Sequence, residues 1–546
     1  MHTKKELEKI LRFIISKKPQ HKFGVDDAKR IIAGKMKLKQ PSNRLLFAVY
    51  RELVEKKKIK KDKNLELFMR KADIRSLSGI AVVTSLVKPY SCPGKCIYCP
   101  TEKRMPKSYL ASEPAAARAL LLDFSPYEQM RRRIEALTES GHIADKIEFI
   151  IKGGTWNAYQ IKYQYWFILE SFRACNEYGK PKKEKVSLDS TLEELQEALE
   201  KEQRKNEKAK FRIIGLTLET RPDTITPKTI FHMRRQGCTR IELGLQAPDD
   251  KILELTKRGH TVEQFKKAMF LLRQAGFKVD LHFMPDLPGS SPQHDVEMYK
   301  SLFVDEALRP DMVKIYPCAV LKNTELYKWY KNKKYKPQNP KDLFESLIKM
   351  KIATPLYCRI SRLIRDIPST EITAGNSTTN LREMLKEKMA EKGEKCVCLR
   401  CREIGRHKEL ANEPPHLFVE MYETVGGKEY FISYETKNRE ALFGFLRLRI
   451  PEKTPKKIGV YKLLPEIKNC AFVRELHTYG QLVGIGKYKK NAAQHKGTGK
   501  KLMVEAEKIA KKEGYKKMAV ISGVGVRGYY RKLGYRKVGT YMVRKI

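Results

Sequence analysis

Ser91-Cys-Pro-Gly-Lys-Cys-Ile-Tyr-Cys-Pro100 holds three thiols, Cys92, Cys96 and Cys99, within eight residues. Cysteine thiolates are the usual anchors of iron–sulfur clusters, and a cubane has four irons, so three close thiols leave one iron open to a small molecule. Zinc is the alternative, but a structural zinc site wants four ligands and usually recruits two such pairs. A disulfide framework is disfavoured, because three is odd and the surrounding sequence reads as intracellular.

The chain has 546 residues, of which 41% are hydrophobic, enough for two or three domains with their own cores. No apolar run approaches the roughly 18 residues of a membrane span. The start, Met-His-Thr-Lys-Lys-Glu, lacks the apolar core of a secretory signal. Eleven cysteines, six of them in two tight groups, fit metal binding in a reducing compartment better than disulfides. The expected location is the cytoplasm, with no membrane association. Lys and Arg number 111 against 64 Asp and Glu, a net charge of +47. An excess of that size points to a polyanion, since each neutralised phosphate releases counterions.

Residues 1–75 carry 23 Lys/Arg against 9 Asp/Glu. Leu7, Ile10, Leu11, Phe13 and Ile14 recur at helical spacing, as do Leu45, Leu46, Val49 and Leu53. A small basic helical domain is predicted here, ending in a β-ribbon over Lys58–Arg70, with nucleic acid as its partner.

Strand and helix signals alternate across residues 76–370. Ala81-Val-Val-Thr84 precedes the cysteine loop, and Ser125-Pro-Tyr-Glu128 opens a helix to about Glu139. Five further strands follow, over Lys146–Ile151, Phe211–Leu218, Arg240–Leu245, Val279–Met284 and Met312–Tyr316. Each ends in Gly, Pro or polar residues, which predicts an α/β fold, a parallel (β/α) barrel with one chemical mouth. Gly153 and Gly154, Glu219, Arg221, Gln246, His282 and Lys314 fall at those strand ends and form a candidate pocket, with Lys314 as a candidate catalytic group. In residues 157–210 the aromatics Tyr159, Tyr163, Tyr165 and Trp166 either stack bases or pack an insertion on the barrel. Cys358–Arg365 reads as a connector. Residues 371–410 hold Cys396-Val-Cys-Leu-Arg-Cys401, whose spacing fits a zinc knuckle, with Cys358, Cys318 or His407 as fourth ligand; a second iron–sulfur cluster is the rival.

Residues 411–546 read as a separate α/β domain. Gln494-His-Lys-Gly-Thr-Gly499 stands before a helix, where free N–H groups suit a pyrophosphate.

The Cys-x-x-x-Cys-x-x-Cys spacing resembles the signature of radical SAM enzymes. That resemblance implies a [4Fe-4S] cluster on Cys92, Cys96 and Cys99, with S-adenosyl-L-methionine (SAM) on the open iron. It also implies that Gly153 and Gly154 receive the SAM amino group, although Thr155 stands where the family has Glu. Glu219 and Arg221 suit its ribose and carboxylate, and Gln246 joins them. The last 136 residues are similar to GNAT-type acetyltransferases. This implies that Gln494, His495, Lys496, Gly497, Thr498 and Gly499 cradle coenzyme A beside Glu475, Leu476 and His477. Tyr529 or Tyr530 would then protonate the leaving thiolate.

Both modules in one chain, with Gly153-Gly-Thr155, Glu219-Thr-Arg-Pro-Asp223, Met284-Pro-Asp-Leu-Pro-Gly289 and Arg474-Glu-Leu-His477, resemble the family of Elongator catalytic subunits. The resemblance implies a tRNA modification at the wobble uridine in the anticodon stem-loop. A SAM-derived radical takes hydrogen from the methyl of acetyl-CoA, and the carbon radical adds to uracil C5, leaving a carboxymethyl group after hydrolysis. Accessory subunits are compatible with the sequence but not required by it. The competing readings are a protein lysine acetyltransferase with a structural cluster, a radical SAM methylthiotransferase, which would carry further N-terminal cysteines, and a tRNA-binding scaffold.

Overall fold

The computed structural model describes residues 2–70, 79–180, 187–453, 459–479 and 497–546. Four helices open the chain: Lys4–Ser16, Lys22–Lys35, Asn43–Glu55 and Lys63–Met69. Leu7, Ile10, Leu11 and Ile14 are buried against Leu46, Val49 and Leu53, which leaves most of the lysines outward, Lys29 excepted. The expected β-ribbon over Lys58–Arg70 is not formed. Asp62 accepts hydrogen bonds from the N–H groups of Asn64 and Leu65, and this cap starts a helix where a turn between strands was expected.

Seven parallel strands form the first sheet in the order β1-β2-β3-β4-β5-β6-β8. They are β1 (Ala81–Leu86), β2 (Lys146–Lys152), β3 (Arg212–Thr220), β4 (Arg240–Gln246), β5 (Lys278–Phe283), β6 (Met312–Ile315) and β8 (Arg359–Arg362). The parallel sheet bears out the expected α/β half-barrel. Six strands follow the cysteine loop, where five were expected: Arg359–Arg362, read as connector, is the last strand. Its four residues are mostly polar, too few and too charged to look like a core strand. Between them β7 (Ala319–Leu321) pairs antiparallel with β9 (Ile372–Gly375).

On β2, Ile147, Phe149 and Ile151 are buried under the helices, while Glu148, Ile150 and Lys152 face the barrel interior. The helices Ile161–Asn176 and Leu192–Asn206 cover that outer face. Tyr159 and Tyr163 stack on each other, their hydroxyls bonded to Lys88 backbone groups, so this cluster packs the insertion onto the barrel.

The second sheet runs β10-β11-β12-β13-β14-β16-β15. Its strands are β10 (His416–Thr424), β11 (Gly427–Glu435), β12 (Leu442–Pro451), β13 (Ala471–Thr478), β14 (Lys517–Val520), β15 (Arg536–Val538) and β16 (Tyr541–Lys545). All pairs are antiparallel except β13 with β14. One face packs on the helix Thr498–Lys512, and the other packs on the N-terminal ends of the barrel strands, where Tyr541 donates to the Ala275 carbonyl at 2.7 Å. Among the described residues no helix is long and apolar enough to cross a membrane.

Candidate active site

The cysteine loop is pinned by backbone. The Ile97 N–H donates to the Thr256 carbonyl at 3.1 Å, and the Ile97 carbonyl accepts from Leu326 at 2.9 Å. Beneath the loop, Arg221 donates to Asp223 at 2.9 Å and to the carbonyls of Arg258 and Gly259 at 2.9 and 3.0 Å. A Cβ on Gly94 would lie 2.4 Å from Arg221 Nη1, so only glycine lets the loop settle on that guanidinium. Arg221 thus serves largely as the bed of the loop, though it still lines the cavity above it.

Cys96 is buried, and Cys92 and Cys99 are half-buried. The Cys96 thiol is held down to about 4, first by the hydrogen bond from the Cys99 thiol and then, against its own burial, by Arg258, whose Nη1 stands 3.6 Å from the sulfur. Cys99 is correspondingly pushed up. A thiolate-favouring pocket is what an iron ligand needs. Among the described residues only Cys396, Cys398 and Cys401 bring three His, Cys or carboxylate ligand atoms within 4.8 Å of one another.

Beside this loop, Gly153 has φ +135°, and a Cβ there would meet Val87 Cγ2 at 2.2 Å. Gly154 follows at φ +88°, and Thr155 Oγ1 lies 3.5 Å from Cys92 Sγ. Gln246 is held at φ +79° by the bulge that ends β4, a strained conformation for a non-glycine residue. Glu219 accepts from the Tyr109 hydroxyl at 3.1 Å and pairs with Lys152 at 3.3 Å. Burial alone would raise the Glu219 carboxyl, but Lys152, with Lys314 behind it, overcomes this and holds it down to about 2. Lys314 and Lys152 both bind Glu242, and His282 Nε2 stands 3.3 Å from the same carboxylate. Burial, then Lys314, keeps His282 neutral, down to about 3.

The structure therefore brings Gly154, Glu219, Arg221, Gln246, His282 and Lys314 to one cavity with the three cysteines. Sequence reading missed Glu242, Lys152 and Arg258. Glu242 carried a signal: Arg240, Glu242 and Gly244 alternate through an otherwise apolar strand, and inward polar residues on a parallel strand have no place except a cavity.

On the second sheet, β13 pairs with β14 only through Ala471, Phe472 and Val473. Beyond Val473 no described strand covers that edge. The alternation of β13 divides the three expected donor-binding residues. Glu475 faces the barrel, bound to Lys278 at 3.1 Å and Arg447 at 3.0 Å, and His477 packs on Tyr479 at 4.3 Å between ring centroids. Leu476 points the other way, into the core under Thr498–Lys512. Gly497, at φ +74°, precedes that helix, and a Cβ on Gly499 would lie 2.8 Å from the Tyr529 hydroxyl. Tyr530 is buried with its ring 6.2 Å from Tyr535, whereas Tyr529 is 39% exposed. Gln494, His495 and Lys496 lie outside the described residues.

Cys396, Cys398 and Cys401 sit beside β8, where the Leu399 N–H donates to the Cys358 carbonyl at 3.0 Å. None of the expected fourth ligands joins the three within 4.8 Å. His407 instead sets its Nε2 2.8 Å from the Cys401 carbonyl oxygen.

A single cavity of about 1330 Å³ joins the cysteine loop to the barrel-facing side of β13. Cys92, Cys96 and Cys99 line one end, and Arg447, Glu475, His477 and Tyr479 of the second sheet line the other.

Residues 87–302 match the Radical SAM superfamily and residues 310–391 the Radical SAM C-terminal domain. That superfamily implies a [4Fe-4S] cluster and SAM. The chain is 43% identical over 492 residues to the tRNA uridine(34) acetyltransferase of Methanocaldococcus infernus, covering 88% of each. It is 39% identical to the protein of the same name from Dehalococcoides mccartyi, covering 86% of this chain and 99% of the relative. Against human Elongator complex protein 3 it is 37% identical, covering 87% of this chain and 85% of the other. The solved structure of Methanocaldococcus infernus Elp3 lacking its N-terminus matches with a TM-score of 0.72 at 40% identity, covering 86% of this chain and all of that one.

Proposed function

The chain belongs to the family of tRNA uridine(34) acetyltransferases and Elongator complex protein 3, and from that membership we infer that it is an enzyme modifying the wobble uridine of tRNA. The product we propose is a carboxymethyl group at uracil C5, derived from acetyl-CoA. Uracil C5 facing an unactivated methyl group offers no easy ionic route, and SAM on a [4Fe-4S] cluster supplies the radical chemistry that the step needs.

The observation that carries this reading is the shared cavity, which gives the cysteine loop and β13 a common interior. Cys92, Cys96 and Cys99 would hold the cluster, and Gly153, Gly154, Glu219 and Gln246 would bind SAM. Lys314, Lys152 and Glu242 form a charged floor on which a base can be oriented. The uncovered edge of β13 and the Gly497–Gly499 turn would take the acyl donor. Tyr529, close to that turn, would protonate the leaving thiolate, and buried Tyr530 would not. Cys396, Cys398 and Cys401 would bind zinc and stiffen the join. The division into 1–75, 76–370, 371–410 and 411–546 belongs to the same proposal, with the basic helices gripping tRNA and accessory subunits optional.

Anaerobic incubation with SAM, acetyl-CoA, reductant and tRNA, followed by nucleoside mass spectrometry, tests it. Modified uridine that requires all four components is expected. Acetylation of peptides without SAM or reductant, and no change in the tRNA, would favour a lysine acetyltransferase instead.

A further inference from the structure

Thr155 follows Gly153 and Gly154 and caps one turn of 3-10 helix, Trp156–Ala158. Threonine is favoured at a cap because its hydroxyl can accept from the free N–H groups of the first turn. Here the hydroxyl makes no such bond. The residue is 3% exposed, so bulk water offers little in exchange, and a buried hydroxyl left unpaired is costly. Its oxygen meets Cys92 Sγ at 3.5 Å instead, and among the described residues it has no other hydrogen-bond partner. The Gly94 N–H donates to the same sulfur at 3.4 Å.

Backbone holds this contact from both sides. The Val87 N–H donates to the Lys152 carbonyl at 3.0 Å, which joins the end of β1 to the end of β2. The Tyr159 hydroxyl donates between the carbonyls of Lys88 at 2.7 Å and Gly153 at 3.2 Å. Tyr90, two residues before Cys92, stacks on the Tyr159 ring with centroids 4.8 Å apart. The segment that leads into the cysteine loop is thus tied to the Gly153–Thr155 turn. Thr155 reaches Cys92 through the placement of two backbones, not through the choice of one rotamer.

A thiol can donate or accept, but a thiolate bound to iron can only accept, so on a ligating Cys92 the Thr155 hydroxyl is the donor. A hydrogen bond to a ligand sulfur draws off negative charge and favours the reduced, more negative form of an iron–sulfur cluster. A carboxylate at this position would do the opposite, setting a second negative charge beside the thiolate. We propose that Thr155 donates a hydrogen bond to Cys92 Sγ and thereby raises the reduction potential of the cluster held by Cys92, Cys96 and Cys99. This rests on the proposed function, which puts that cluster on these thiols. No proton moves: one electron from an external reductant enters the cluster, and the hydroxyl keeps its hydrogen. Thr155 is a positioning residue here, acting through Cys92.

The test compares the full chain, its cluster reconstituted anaerobically, with T155V, T155A and T155S. Reduced cluster is measured by electron paramagnetic resonance at a series of poised potentials, beside iron content and SAM affinity. T155V keeps the shape of threonine without the hydroxyl, T155A removes both, and each should lower the potential. Loss of one hydrogen bond to a charged sulfur is expected to shift the reduction equilibrium about tenfold, or about 59 mV for one electron. T155S retains the donor and should match the native chain. An unchanged potential in T155V, or in T155A should T155V fail to hold iron, overturns the proposal. So does a drop in T155S as large as in T155V, which would make the effect one of packing. Weaker SAM binding in T155V at the native potential would give Thr155 to SAM and overturn it too. A native chain that takes up no cluster would sink the proposed function itself, and this inference with it.

Discussion

Arg474 Nη1 donates to Asp311 Oδ2 at 2.9 Å, with both side chains fully buried between β13 and the barrel. Arg273 and Arg447 crowd the same carboxylate, and Glu429 holds Arg273, Arg449 and Arg474 at 2.8, 3.1 and 3.0 Å. These ions join the two sheets and fix how β13 meets the barrel floor.

Removing one partner from such a seam leaves buried cations uncompensated. Asp311→Asn is expected to cost about 3–5 kcal/mol of stability, read as a lower midpoint in urea unfolding of the purified chain. A change below about 1 kcal/mol would mean that the seam is wetter than its burial implies.

Acid should weaken the same region. Glu475 is held down to about 2, where burial would raise it, by Lys278 and Arg447, and Glu219 is held equally low. Their unfolded pKa lies near 4.3. Their contribution is therefore complete above that value and lost as pH falls toward about 2. A melting temperature that drops between about pH 5 and 2, less steeply in Glu475→Gln, is the expected result.

The two tyrosines should separate. Tyr529→Phe is expected to lower the rate of uridine modification by about 100-fold or more, the usual worth of a general acid. Tyr530→Phe keeps its packing and should stay within about tenfold of wild type. Equal losses in a single-turnover assay would count against the assignment of Tyr529.

Cys92→Ala, Cys96→Ala and Cys99→Ala should each abolish modification and the iron-dependent visible absorbance, while tRNA affinity survives. Modified uridine from a variant without iron would defeat the radical route.

Gly153→Ala would place a Cβ 2.2 Å from Val87 Cγ2 at a backbone φ of +135°. Loss of SAM affinity measured by calorimetry is expected, together with a lower melting temperature, since neither the strand end nor Val87 has room to give.

Much of this was readable along the chain, because the signals are local. The spacing of Cys92, Cys96 and Cys99, the apolar runs of β2 to β5, and the Gly497-Thr-Gly499 turn before a helix each depend on a few neighbouring residues. Arg359–Arg362 was misread because a short edge strand of polar residues earns its place by pairing with β6, which no local pattern reveals. The ribbon expected at Lys58–Arg70 failed because one cap, Asp62, outweighed the strand-like composition. Lys152 and Arg258 went unnoticed because their importance lies in which distant residues they meet.

The sequence by itself determined the cluster chemistry, the two modules and the polyanionic partner, since motif spacing and net charge survive without coordinates. Only the tertiary structure decided that the cysteine loop and β13 open on one cavity and that Tyr529 and Tyr530 face different surroundings. Those facts arise from packing between segments hundreds of residues apart, and burial and pairing are properties of the assembled neighbourhood, not of any stretch of chain.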